Sequence, residues 1–337
     1  MTADYSPVYS PRFELSVGGR SYKETGGLVQ DLSVDTTIDG AATCSFTLTH
    51  PFYPEQEDFA DLEWSDVEPG TELEAAMGWG GSGSIEPLFV GKSESLSVDF
   101  SPDQGAAVSV SGYGKLHEMM QGDVERSWSD STVVDVATEV LNEYFSTVEV
   151  KGSRSQRNRI IQHKQNDYRF LRQLTSEHGF EFYAERDTAH FEPRTSIGGE
   201  PDVTLTYGDE LDSFSAEITT ADQIGTVEVR YWDMNSEKEI VGSASKEEGD
   251  GKEVFRIACD SKEEADDVAE SKLSALSKAR VQGNGEAEGI PDLTAGKTVK
   301  IEGMGQKFST TYHVSKASHR MGSSGYQTSF DATEIPE

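Results

Sequence analysis

The sequence predicts a mainly β protein with an α+β insert: two similar tube-like β-barrel domains separated by an inserted α/β domain. Three observations predict it. Apolar residues alternate with polar ones between Gly and Asp turns at both ends of the chain. The period lengthens to that of amphipathic helices in the middle. The order of elements in the first β region recurs in the second.

Residues 1–116 are the expected first barrel. Phe13, Leu15 and Val17 alternate before Gly18-Gly19. Leu32, Val34 and Thr36 alternate up to Asp39-Gly40, and Cys44, Phe46 and Leu48 resume. A proline- and acid-rich loop from Pro51 to Pro69 interrupts, then strands return at Leu73 to Met77, Leu88 to Val98 and Ala107 to Tyr113. Residues 117–198 are the expected insert. Ser131 opens a helix there, with Val133, Val134, Val136, Ala137, Val140, Leu141, Tyr144 and Phe145 on one face. A second helix starts near Asn166 or Asp167, turns Tyr168, Phe170, Leu171 and Leu174 inward, and stops at Gly179. Phe180, Phe182 and Phe191 mark a hairpin packed on it. Residues 199–337 are the expected second barrel, interrupted near 261–280 by a helix that opens with Ser261 and Glu264 as a capping box.

The recurrence has a specific form. Leu32-Ser33-Val34, leading through Asp39 to Ser45-Phe46-Thr47, resembles Phe214-Ser215-Ala216, leading through Asp222 to Glu228-Val229-Arg230. Pro69-Gly70-Thr71 and Ala295-Gly296-Lys297 each enter an alternating strand through a glycine turn. Leu88 to Ser93 then matches Thr311 to Lys316, and each copy closes with an aromatic strand, near Tyr113 and near Tyr326 to Phe330. Three chains around an axis would present six similar barrels to a six-fold tube and keep three-fold symmetry on the other face.

Composition narrows the function. The chain has 337 residues, with 29 Lys and Arg against 61 Asp and Glu, a formal charge of −32 that argues against wrapping nucleic acid. No apolar run approaches the ~20 residues needed to span a bilayer, and Met1 to Phe13 lacks a signal pattern. The expectation is a soluble chain assembled in the cytoplasm, without direct membrane insertion. Its 15 Phe, 12 Tyr and 4 Trp separate it from disordered acidic chains. Such an acidic excess repels itself at low salt and is screened in molar salt, where the Debye length is ~3 Å, so a halophilic source is expected. Cys44 and Cys259 fit neither a disulfide framework nor a zinc motif and are expected as buried thiols.

No catalytic, cofactor or metal site is expected. Gly78-Trp79-Gly80-Gly81-Ser82-Gly83 fits G-x-G-x-x-G, but Ser84-Ile85-Glu86-Pro87 cannot open the helix that a dinucleotide needs. His117-Glu118-Met119-Met120-Gln121 lacks the second His of a zinc protease, and His163 and His178 read as packing or capping residues. Two segments are candidate partner surfaces. Lys151, Arg154, Arg157, Arg159, Lys164, Arg169 and Arg172 form a basic island that either pairs with the protein's own acids or a neighbouring protomer, or docks an acidic partner. Phe52, Tyr53, Phe59 and Trp64 lie in the long loop, which either folds back on the barrel or meets a next subunit or tube ring.

Gln162-His163-Lys164-Gln165-Asn166-Asp167-Tyr168-Arg169-Phe170-Leu171-Arg172-Gln173-Leu174, followed by Glu177-His178-Gly179-Phe180-Glu181-Phe182, resembles the contractile-tail hub family. That family comprises the late control D proteins of phages, the hub region of VgrG, and the hubs of extracellular contractile injection systems. The ending, Tyr312-His313-Val314-Ser315-Lys316-Ala317-Ser318-His319 with Gly325-Tyr326-Gln327-Thr328, resembles the family's last barrel strands. The resemblance implies a homotrimeric, non-enzymatic baseplate protein in a virion tail or injection particle. Its implied partners are an inner tail-tube ring, baseplate proteins, a spike and, beyond these, cargo. The spike is expected as a separate chain, because Glu337 follows directly on the second barrel. The competing readings are a stand-alone binding module and a cell-wall-degrading enzyme.

Overall fold

The computed structural model describes residues 10–335 apart from 24–28, 50–51, 54, 56–57, 60–61, 63, 81–84, 102–104, 153–155, 219–223, 234–236, 247–248, 250 and 278–280. The first β region holds β1 (Pro11–Val17), β2 (Arg20–Lys23), β3 (Val29–Thr37), β4 (Thr43–Leu48), β5 (Phe52–Tyr53), β6 (Asp58–Phe59), β7 (Glu72–Trp79), β8 (Ile85–Ser101) and β9 (Gly105–Gly114). The insert follows with β10 (Val124–Thr132), α1 (Val133–Leu141), β11 (Thr147–Val150), β12 (Gln156–Gln165), α2 (Asp167–His178), β13 (Phe180–Glu185) and β14 (Thr188–Pro193). The remainder is β15 (Val203–Thr206), β16 (Leu211–Ile218), β17 (Ile224–Asp233), β18 (Lys238–Ser245), β19 (Gly251–Phe255), α3 (Lys262–Ser277), β20 (Val281–Glu288), β21 (Thr298–Glu302), β22 (Thr311–Gly322) and β23 (Gly325–Glu334).

The protein is mainly β, and one 13-stranded sheet runs through both β regions in the order β16-β20-β23-β22-β3-β4-β9-β8-β7-β1-β2, with β21 beside β22 and β15 beside β21. The sheet curls over two apolar cores. Val34, Phe46, Leu73, Met77, Phe89 and Val110 belong to the first. Leu211, Val299, Ile301, Tyr312 and Phe330 belong to the second. The insert has its own core, from Val136 and Leu141 through Phe170 and Leu174 to Phe182 and Phe191. A fourth core lies under α3, where Ala265, Val268, Ala269 and Leu273 cover Val227 and Val229 of β17.

The strand order β3-β4-β9-β8-β7 recurs as β16-β20-β23-β22-β21. The match extends to single hydrogen bonds. The Gly70 N–H donates to the Ser93 carbonyl at 2.8 Å, and the Ser93 N–H to the Thr71 carbonyl at 2.8 Å. In the second copy the Gly296 N–H donates to Val314 at 2.8 Å, and the Val314 N–H to Lys297 at 2.9 Å. Both glycines take a positive φ, 94° and 90°, which other residues adopt only with strain. A one-residue bulge follows at the same point, between Ser93 and Ser95 in β8 and between Val314 and Lys316 in β22.

Two expected correspondences move. Glu228-Val229-Arg230 lies in β17, in a separate sheet ordered β18-β17-β19, and β16 pairs instead with β20. Ser33 faces Ser45 while Ser215 faces Asn284, so Asn284 is the counterpart of Ser45. β20 reads VQGNGEAE and offers no large apolar alternation after Val281, whereas β17 alternates strongly. The long insertion therefore enters inside the hairpin, between its two strands. The counterpart of Ser93 is Val314, two residues before Lys316, a slip that keeps every side chain on its face.

Local signals act as read, with one shift. α1 is capped by Thr132 rather than Ser131; its hydroxyl accepts the Asp135 N–H at 3.0 Å. Asn166 caps α2 by accepting the Arg169 N–H at 2.9 Å, and Gly179 ends the helix at φ 68°. The Ser261 hydroxyl accepts the Glu264 N–H at 3.1 Å where α3 begins. Arg280, the expected end of that helix, and Asp222 lie outside the described residues. Cys44 and Cys259 are buried free thiols, both pushed up to about 12 chiefly by burial. No described helix is long and apolar enough to cross a membrane.

Candidate partner-binding surfaces

The densest polar constellation in the insert is built on Asp167, which is 1% exposed. Its carboxylate accepts from Gln162 Nε2 at 2.6 Å, the Tyr144 hydroxyl at 2.7 Å and Arg126 at 3.3 Å. Burial and the bond to Asp167 push the Tyr144 phenol up to about 12. Gln162 leaves β12, Asp167 opens α2 and Arg126 sits on β10, so the carboxylate joins three elements. The Gln-to-Asp spacing of the sequence motif is thus a structural clasp. His178, at the other end of α2, is held neutral: burial, with Arg157 and Lys272 nearby, pushes it down to about 3. His163 is exposed and stands 3.4 Å from Glu125.

The basic island divides. Lys151 bonds Glu192 at 2.9 Å. Arg157 donates to Glu264 at 2.7 Å, with both side chains largely buried, and also reaches the Ala258 carbonyl. Arg172 meets Asp39 at 2.5 Å and the Ile38 carbonyl at 3.2 Å. Arg159, Lys164 and Arg169 are exposed and form no ion pair with any described residue. Arg154 lies outside the described residues. Arg157 and Arg159 share a face of β12, but α3 and the chain leading to it cover only the Arg157 end, through Asp260 on Asn158 and Glu264 on Arg157. Sequence alone held no sign of that division.

The long loop gathers its aromatics. β5 and β6 set Phe52 opposite Phe59, with ring centroids 5.2 Å apart. Phe59 is buried and meets Trp64 at 5.5 Å. Phe100, which sequence reasoning missed, comes from the far end of β8 and stands 5.0 Å from Phe52. Tyr53, Trp64 and Phe100 remain exposed, Phe100 at 62%. The loop therefore folds back at Phe59 and leaves an aromatic rim.

The face of the sheet away from the cores is polar in both repeats. Thr47 and Ser109, and Ser95 and Ser111, pair their hydroxyls across strands at 3.2 and 2.7 Å. The matching face of the second repeat forms an open groove of about 490 Å³ lined by Ser213, Ser215, Asn284, Ser318, Ser329 and Asp331. Among the described residues no group of three His, Cys, Asp or Glu is placed to hold a metal ion. Gly81-Ser82-Gly83 lie outside the described residues.

A duplicated curled sheet with an α/β insert is the fold of tail proteins. The 43 kDa tail protein of prophage MuSo2 from Shewanella oneidensis matches with a TM-score of 0.72 and 12% identity, over 96% of this chain and 98% of that one. A tail protein from Neisseria meningitidis MC58 matches at 0.71 and 14% identity, over 97% of both chains. The E. coli c3393 protein, a component of the type VI secretion system with structural similarity to the T4 tail proteins gp27 and gp5, matches at 0.63 and 13% identity, over 96% of this chain and 77% of that one. At these identities the likeness is one of fold. The chain belongs to the Alg8 N-terminal domain family, whose model matches residues 10–253 and 250–323. No curated protein matches the sequence.

Proposed function

We propose that this protein is a structural hub of a phage tail or contractile injection particle. It forms a homotrimer that adapts a six-fold inner tube to a three-fold spike. The observation that carries this reading is the duplicated sheet: the strand order and its glycine-turn hydrogen bonds occur twice in one chain. Three chains then present six equivalent units on one side and three inserts on the other. The shared fold with tail proteins and with a type VI secretion component supports it.

The role is mechanical and involves no catalytic step. The hydroxyl-rich face of the sheet lines the bore, and the aromatic rim at Tyr53 and Trp64 contacts the next subunit or the first tube ring. Arg159, Lys164 and Arg169 face an acidic partner, the spike by preference, with baseplate proteins and cargo as further partners. The three segments 1–116, 117–198 and 199–337 act as first barrel, insert and second barrel. Assembly takes place in the cytoplasm of a halophilic cell. Light-scattering mass in molar KCl, with a low-salt control, tests the reading. The expected mass is three times the 36.9 kDa of one chain. A monomer at every salt concentration, with the candidate spike added, overturns it.

A further inference from the structure

The junction between the two repeats inside one chain specifies how two chains meet. Beyond its bulge, β22 leaves β21 and pairs antiparallel with β3: Ala317 faces Thr36, His319 faces Val34 and Met321 faces Leu32. The matching half of β8 leaves β7 at the same point, since the last pairing there is Glu72 with Lys92. From Ser95 to Ser101 its outer edge has no strand partner among the described residues. β16, the counterpart of β3, ends the sheet, and among the described strands it pairs only with β20, apart from a single bridge from Leu211 to Tyr207. Each chain therefore carries one filled repeat junction and the two separate halves of a second.

We propose that these halves join between copies, the distal half of β8 in one chain adding antiparallel to β16 of the next. The proposal rests on the trimeric reading and supplies its interface. Carrying the internal register across sets Leu96 opposite the partner's Ile218, Val98 opposite the partner's Ala216, and Phe100 opposite the partner's Phe214. The exposed side chains fit this pairing. Phe100 is 62% and Ile218 36% exposed, and both fall on the mated rows. Leu96 and Val98 are only partly buried against the first core, as are Phe214 and Ala216 against the second. Their counterparts at the filled junction, Ala317, His319, Leu32 and Val34, are all buried.

The polar rows fit as well. Ser97 would face Glu217 and Asp99 would face Ser215, so no two carboxylates oppose each other. A long, partly apolar strand edge left open invites pairing with another chain. Because the two edges differ, the contact is head-to-tail and closes only as a ring. Six repeat junctions result in a trimer, alternately within and between chains.

The test is cross-linking of the full chain in molar KCl. Antiparallel partners stand about 4.5–5.5 Å apart at Cα, within disulfide range. Val98→Cys with Ala216→Cys is expected to form covalent dimers and trimers under mild oxidation, with the native thiols buried. Val98→Cys with Ser215→Cys places the second thiol on the opposite face and is expected to give none. Two further variants check the polarity of the contact. Phe100→Lys and Ile218→Lys, both at exposed positions, are each expected to reduce the mass to one chain. Mixed together, they retain one intact edge pair and should reach twice the chain mass and no more. A wild-type trimer whose in-register cysteines fail to cross-link, or whose lysine variants stay trimeric, overturns the edge pairing and leaves the trimer standing. A wild-type monomer with the candidate spike present overturns both.

Discussion

The two repeats share a backbone scheme but fill it with different side chains. In the first, Phe46 of β4 faces Val110 of β9, both buried. In the second, Gly285 of β20 faces Phe330 of β23, which is 3% exposed. The aromatic has crossed to the opposite strand, and a methyl group on Gly285 would run into the Phe330 ring. Further along, Val98 faces Val108 in the first repeat, while His319 faces Thr328 in the second. The duplication is thus held in backbone hydrogen bonds and in summed core volume, not in residue identity.

The largest effect is expected at the exchanged aromatic. Phe330→Ala should cost ~3–5 kcal/mol in urea unfolding, the range for a buried Phe. Gly285→Phe alone overfills the same space. The double variant Gly285→Phe with Phe330→Val installs the arrangement of the first repeat. It should lose clearly less than the sum of Gly285→Phe and Phe330→Val measured singly. Additive losses would show that the two positions are not equivalent.

The connections inside the two hairpins differ as well, and both grip the insert. The short turn after β3 is held by Arg172 and by the Tyr168 hydroxyl, which donates to the Asp39 carbonyl at 2.9 Å. The long insertion after β16 is held by Arg157 on Glu264 and by the Ser271 hydroxyl on the Gly179 carbonyl at 2.8 Å. Arg157→Ala leaves Glu264 buried without its cation and should cost about 3 kcal/mol or more. Glu264→Gln with Arg157→Met should recover part of that loss, since no buried charge remains.

Acid should weaken the second repeat more than the first. His319 Nε2–H donates to the Leu293 carbonyl at 3.1 Å, and Nδ1 accepts from Tyr326 at 2.9 Å. Burial pushes the ring from 6.5 down to about 4. The unfolded chain takes up a proton as pH falls through 6.5, but the folded chain does so only near 4. Stability from His319 is therefore complete above pH 6.5 and is lost as pH falls towards 4, by roughly 3 kcal/mol at the acid end. His319→Val with Thr328→Val copies the first repeat and should flatten urea midpoints across that window. The remaining slope belongs to the other buried rings, His178 and His190, which burial also pushes down.

Alternation made most strands legible, and caps and a glycine stop set the starts of the three helices and the end of α2 to within a residue, whereas α1 ends at Leu141, before Tyr144 and Phe145 of its expected face. β20 was illegible because its core position is a glycine, filled by Phe330 from β23. Phe100 lies past Val98, where the expected strand ends, and its contacts come from a loop far back in the chain. The island of cations read as one feature because nothing local distinguishes Arg157 from Arg159. Only the chain from 258 to 264, folded over one end of β12, separates them.

The smallest effect sharpens the comparison of the two grips. Arg172 and Asp39 are 30% and 64% exposed, against 11% and 8% for Arg157 and Glu264. An exposed pair contributes ~0–1 kcal/mol and is screened by salt. Arg172→Gln should therefore cost a few tenths of a kcal/mol at low salt and almost nothing in molar KCl. The Arg157→Ala loss should persist in molar KCl, because the unpaired Glu264 stays buried whatever the salt. Urea midpoints of both variants at two salt concentrations decide the point. Equal salt dependence would mean that the long insertion is held as loosely as the short turn, and the two grips would then be one device rather than two.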